Sequence, residues 1–168
     1  MSGKSPAPGG LALVESLVNT LDIETGADSL DTPEGREPFG LTERETPYAR
    51  VLRESLRATL LAHAGHPPHA PVTPLGALLA EAPLLVTVDE ADGSAALAPA
   101  DGRLLPARIA AAVAEALVAD TWTRLKACEA ADCHWAYYDR SPAGRGRWCS
   151  MAVCGARAKM RRYRARET

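Results

Sequence analysis

No stretch of this 168-residue chain approaches the roughly 18 continuous apolar residues of a membrane-spanning helix, so no such span is expected. The opening MSGKSPAPGGLALVESLV lacks a positive n-region followed by a continuous apolar segment and a cleavage site. The expectation is a cytoplasmic protein whose thiols stay reduced. There is no internal repeat. Nucleophile elbow, phosphate loop and Gly-rich dinucleotide fingerprint are all missing, so catalysis is not expected. Cysteine is absent from the first 127 residues.

The four cysteines that do occur form two matched pairs, Cys128-Glu-Ala-Ala-Asp-Cys133 and Cys149-Ser-Met-Ala-Val-Cys154, with fifteen residues between them. Each pair closes a short chelating loop, and four thiolates suit a tetrahedral Zn²⁺ with Zn–S bonds of about 2.3 Å. The alternatives are two disulfides, an iron–sulfur cluster and unmetallated thiols. The reducing compartment weighs against the first, the spacing against the second, and the crowding of all four into 27 residues against the third. A full set of four ligands leaves no open position, so the zinc is expected to be single and structural. A module this small would draw much of its folding free energy from the metal.

Trp135, Tyr137 and Tyr138 suggest a strand over the metal, and Ser141-Pro-Ala-Gly-Arg-Gly146 a turn that closes a hairpin with Arg147-Trp148-Cys149. The second pair should then open a helix, with Ala152, Ala156, Met160 and Tyr163 lying against that hairpin. This arrangement is treble-clef-like.

Charge is split along the chain. From Arg124 onward eleven Lys and Arg face four Asp and Glu, a net of +7, whereas residues 1–123 carry −9. A basic module beside an acidic one points to nucleic acid as the partner. The expected phosphate contacts are Arg157, Lys159, Arg161, Arg162, Arg164 and Arg166, with Arg145 and Arg147 as secondary contacts.

The segment CHWAYYDRSPAGRGRWCSMAVCGARAKMRRYRAR, Cys133 to Arg166, resembles the CGNR zinc-finger family. The Cys-Gly-Asn-Arg that names the family appears as Cys154-Gly155-Ala156-Arg157, with alanine replacing asparagine. The resemblance implies a stress-response transcriptional regulator that binds one zinc ion and DNA. Leu11-Ala-Leu-Val-Glu-Ser-Leu-Val-Asn19-Thr20 is similar to the opening of the N-terminal ABATE domain that accompanies this finger. Asn19 and Thr20 are therefore candidate ligand contacts, against the plainer reading of hydrogen bonds at a helix end.

The organisation expected is a flexible terminus at residues 1–10, an ABATE-like mainly helical domain at 11–124 and the zinc finger at 125–168. The fold class is α+β, mostly helical, with one β-hairpin in the N-terminal domain. Helices are expected over Leu11–Leu21, from Thr46-Pro47 to Gly65, after Thr73-Pro74, and from Pro106 through Leu125 nearly to Cys128. Leu84–Val88 and Ser94–Leu97 flank an Asp-Gly turn, and the acidic residues 22–45 read as a loop. His63, His66 and His69 recur three apart, but Pro67 and Pro68 break any helix through them and weigh against a second metal site. A DNA-binding regulator is the leading expectation, with the N-terminal domain sensing a small-molecule effector or forming a homodimer. A structural or protein-interaction finger beside a small-molecule-binding domain is the alternative.

Overall fold

A computed structural model describes residues 5–166. Ten elements follow one another: α1 (Leu11–Val18), α2 (Pro33–Arg36), α3 (Thr46–His63), α4 (Leu75–Leu79), β1 (Leu84–Val88), β2 (Ala95–Pro99), α5 (Leu105–Val118), β3 (Leu125–Ala127), β4 (Ala136–Tyr138) and α6 (Ala156–Arg164). The fold is α+β.

Three helices make the core. Leu11, Val14, Leu17 and Val18 of α1 meet Leu52, Leu56, Leu60 and Leu61 of α3 and Ile109, Ala112 and Ala116 of α5, all buried. These positions recur every three or four residues, so each helix turns one apolar stripe inward. Leu125, Ala127 and Ala136 of β3 and β4 join the same core, so the C-terminal hairpin is packed into the helices.

Several boundaries differ from the sequence expectation. Residues 22–45 hold a series of single helical turns, two of them capped by side chains at their start: the Asp28 carboxylate accepts from Leu30 N–H and the Thr32 hydroxyl from Gly35 N–H. These turns bury Leu30 and Phe39. The cap of α3 also lies one turn early, because Thr42 and Glu45 form a capping box while the Thr46 hydroxyl donates to Thr42 O. At its other end α3 stops as expected. Gly65 has φ +81°, its N–H donates to Ala62 O, and His66 N–H donates to Leu61 O, which together form a Schellman motif.

The last long helix, α5, ends at Val118 rather than near Cys128, and Asp120 follows with φ +53°. Leu117 and Val118, apolar residues of its last turn, face solvent. A 3₁₀ turn at Trp122–Arg124 then swings the chain into β3. β1 and β2 pair antiparallel with Val86 opposite Leu97, the Asp-Gly hairpin anticipated from the sequence.

Residues 1–4 lie outside the described residues. Residues 5–10, expected to fray, are docked. Ala7 is buried and its N–H donates to Glu15, while the carbonyls of Ser5 and Pro6 accept from the Arg140 guanidinium.

Candidate metal centre

β3 and β4 pair antiparallel with Lys126 opposite Tyr137, and Cys128 N–H donates to Trp135 O beyond the strand ends. The loop that joins them is the first cysteine pair. The hairpin is therefore closed by the knuckle itself, not by Ser141–Gly146, and its partner strand precedes Cys128. Cys133 N–H and His134 N–H both donate to Ala130 O, and His134 takes φ +47° to complete the turn. Of the second pair, Cys149 precedes and Cys154 lies on a π turn at Met151–Gly155 that runs directly into α6.

This path brings the four sulfurs together, every Sγ within 4.8 Å of the others. Cys133 and Cys149 are 3.6 Å apart and Cys149 and Cys154 3.8 Å. A tetrahedron with Zn–S bonds of about 2.3 Å has sulfur–sulfur edges of about 3.8 Å, so the cluster has the size of a Zn–S₄ shell.

The four thiols share their protons unequally. The thiols of Cys133 and then Cys149 donate to Cys128 and hold its pKa well below the usual thiol range, with backbone N–H groups of Cys149 and Ala130 adding to the effect. The same sharing with Cys128 drives Cys133 upward and pushes Cys149 up to about 12. Cys154 is raised by burial and then by the Cys128 charge. Without a cation the cluster favours one thiolate among three thiols; four thiolates would repel one another and would need a cation at the centre, and the geometry and donor set fit one structural Zn²⁺.

Behind the knuckle stand residues that the sequence reading did not single out. Arg57 of α3 is completely buried. Its Nη1 donates to His134 O at 2.9 Å, its Nη2 to Val18 O at 2.8 Å and its Nε to Glu54 at 2.9 Å. One guanidinium thus ties the metal knuckle to the C-terminal end of α1. Burial alone would raise the Glu54 pKa, but Arg57 and Arg53 hold it below the ordinary value. Arg53 is also buried and reaches Asp28 and the Thr20 hydroxyl.

Asp139 organises the loop after β4. Its carboxylate accepts from Lys126 Nζ at 2.9 Å, Ser141 N–H at 3.0 Å and Gly146 N–H at 2.7 Å. Burial opposes ionisation, yet these donors keep its pKa far below the carboxylate range. A Cβ at Gly146 would sit 2.8 Å from Asp139 Oδ1, so only glycine fits there.

Asn19 and Thr20, the candidate ligand contacts, are engaged within the chain. The Asn19 side chain accepts from Ala136 N–H at 2.7 Å and donates to Ala136 O at 3.0 Å, clamping β4 to the end of α1. The Thr20 hydroxyl donates to Leu17 O. Nor do the three spaced histidines converge. The His63 ring bonds Leu125 O, His66 approaches Glu129, and His69 bonds Glu54 beside the His134 ring.

Arg147 pairs with Glu129 and stacks over Trp148, and Arg157 pairs with Glu24 at 3.1 Å. Arg145 is exposed on its loop, while Lys159, Arg161, Arg162, Arg164 and Arg166 all stand exposed on or just after α6. Met160 and Tyr163 do not lie against the hairpin: they are 52% and 60% exposed, and Ala156 too faces solvent.

Among the described residues, no helix is long and apolar enough to cross a membrane. Comparison with curated proteins gave no match for the chain. Residues 124–167, the C-terminal quarter of this chain, match the family model of the CGNR zinc finger.

Proposed function

We propose that this chain is a DNA-binding transcriptional regulator in which one structural zinc ion holds a basic helix against a helical domain. One observation carries the reading. α6 has five Lys and Arg in nine residues and no acid, and it lies outside the hydrophobic core with its charged side chains in solvent. A helix whose solvent-facing surface is mostly arginine and lysine gains little by packing on its own domain, whereas a phosphate backbone complements it. The full ligand shell favours a structural metal over a catalytic one. In this reading the protein is cytoplasmic, it is not an enzyme, and α1, α3 and α5 relay a stress signal or a dimer contact to the finger through Arg57 and Asn19. The test is selection of bound sequences from random DNA with zinc-loaded protein at two salt concentrations. Enrichment of one motif at both salts supports a regulator, and no retained DNA at low salt refutes it.

A second reading rests on a different observation. An open cavity of about 920 Å³ lies between α1, α5 and the β1–β2 hairpin, lined by Leu13, Val86, Leu97, Ala112 and Val118 with Arg108 and Glu115 at polar points. It has the size and apolar character of a small-molecule site. The N-terminal domain would then take an apolar effector, and the finger would serve as a structural or protein-interaction module.

A further inference from the structure

The placement of charge around α6 carries a finer statement about the nucleic acid. At about 100° per residue, Arg157, Arg161 and Arg164 form one row along the helix, and Lys159 and Arg162 form another about 160° away, with Arg166 just past the helix end. Between them on one side runs a stripe of Ala156, Met160 and Tyr163, all exposed. On the other side is Ala158, the one residue of α6 that is partly buried. The apolar stripe therefore faces away from the finger, bracketed by cations on both flanks.

Such a stripe has three natural occupants: an anionic membrane, a protein groove and a nucleic-acid groove. A membrane helix would need more apolar surface than one Met and one Tyr supply. A single strand presents one line of phosphates and would engage one flank. Two nearly opposed cationic rows need two anionic walls about a helix diameter, 10–12 Å, apart. The major groove of a DNA duplex is about 12 Å wide and walled by both backbones. Nine residues give a helix of about 13 Å, enough to pass across one groove.

We infer that α6 seats in the major groove of duplex DNA, its two basic rows on opposite strands and Met160 and Tyr163 against the base edges, where the thymine C5-methyl is the complementary group. This rests on the DNA-binding reading above and adds the groove, the strandedness and the chemistry of base recognition.

The test uses zinc-loaded full-length protein and a short A·T-containing mixed-sequence duplex. Methyl green, a major-groove ligand, is expected to displace the protein, and netropsin, a minor-groove ligand, to leave it bound. Alanine pairs R161A/R164A and K159A/R162A should each flatten the slope of log K against log salt by about 2, because each removes two phosphate partners. Replacing thymine by deoxyuridine should weaken binding by the natural protein about fourfold for each buried methyl group removed. The M160A/Y163A protein should keep the salt slope and show no such discrimination. Zinc content checks that every variant keeps its fold, since these side chains do not reach the sulfurs.

Displacement by netropsin, tighter binding to the single strand, a slope change from one row only, or indifference to deoxyuridine would each overturn the inference and leave the DNA reading standing. Tighter binding to phosphatidylserine vesicles than to duplex would also overturn it. Failure to bind any nucleic acid at low salt would instead remove the reading beneath it.

Discussion

Replacing Arg57 by methionine should loosen the zinc module from the helical domain. Methionine keeps most of the stem volume, so the change tests hydrogen bonds more than packing. The guanidinium donates to Val18 O and His134 O and pairs with Glu54 in a site without solvent access. Stripping the two carbonyls of their donor costs about 1–3 kcal/mol each, which overlaps the about 3–5 kcal/mol for opening a buried charged network; both describe the same loss, so they are not added. In a chain of this length that lowers Tm by roughly 10 °C. Lysine should not rescue, because a point charge cannot span two carbonyls and a carboxylate as the planar fork does.

The assay is urea unfolding followed by two signals. Trp122, Trp135 and Trp148 all lie in or beside the C-terminal module, so fluorescence reports that part. Circular dichroism mainly reports α1, α3 and α5. The two midpoints should coincide in the natural protein, and the fluorescence midpoint should fall below the other in the variant. A stability change within about 0.5 kcal/mol, the range of ordinary surface substitutions, would refute the clamp.

Asn19→Ala removes both bonds to Ala136 and should cost about 1–3 kcal/mol, read from the same two midpoints. Cys149→Ser should abolish zinc retention on dialysis while α1, α3 and α5 keep their dichroism; zinc held at one ion per chain would exclude Cys149 as a ligand. His63 should give a pH dependence. Burial lowers its pKa, so the neutral ring bonded to Leu125 O adds stability that is present above the unfolded value of about 6.5 and is lost as pH falls through the folded value. His63→Gln should abolish that slope in Trp fluorescence melts, and an unchanged slope would assign it elsewhere. Glu24→Gln removes the shorter of the two ion pairs of Arg157, leaving Asp132 at 3.8 Å, and should tighten DNA binding modestly, most visibly at low salt.

The cysteine spacing made the metal site legible, because two chelating pairs specify a tetrahedron without help from the rest of the fold. Apolar periodicity made α1, α3 and the β1–β2 hairpin legible as well. The inner face of α3 was harder to read. Arg53 and Arg57 share the helical face of Ala49, Leu56 and Leu60, and their type alone would place them in solvent. Glu54 on the same helix and the tertiary partners Asp28, Thr20 and two backbone carbonyls offset the cost of burying them. The end of α5 was illegible for the opposite reason. Leu117, Val118 and Trp122 continue its pattern, and nothing in their chemistry announces the left-handed Asp120 that stops it. The hairpin partner of β4 was misread because Leu125-Lys-Ala127 is only three residues long and its alternation is too short to recognise. Asn19 is an intermediate case: the pair with Thr20 was conspicuous, and its partner proved to be the backbone of Ala136.

The measurement that bears most directly on the central claim is the salt dependence of duplex binding by the zinc-loaded protein, beside the Cys149→Ser variant. Six cations on and after α6 predict a slope of log K against log salt of about −5, with the zinc-free variant binding more weakly and with a shallower slope. A slope near zero for the loaded protein, or equal binding by both, would contradict the account.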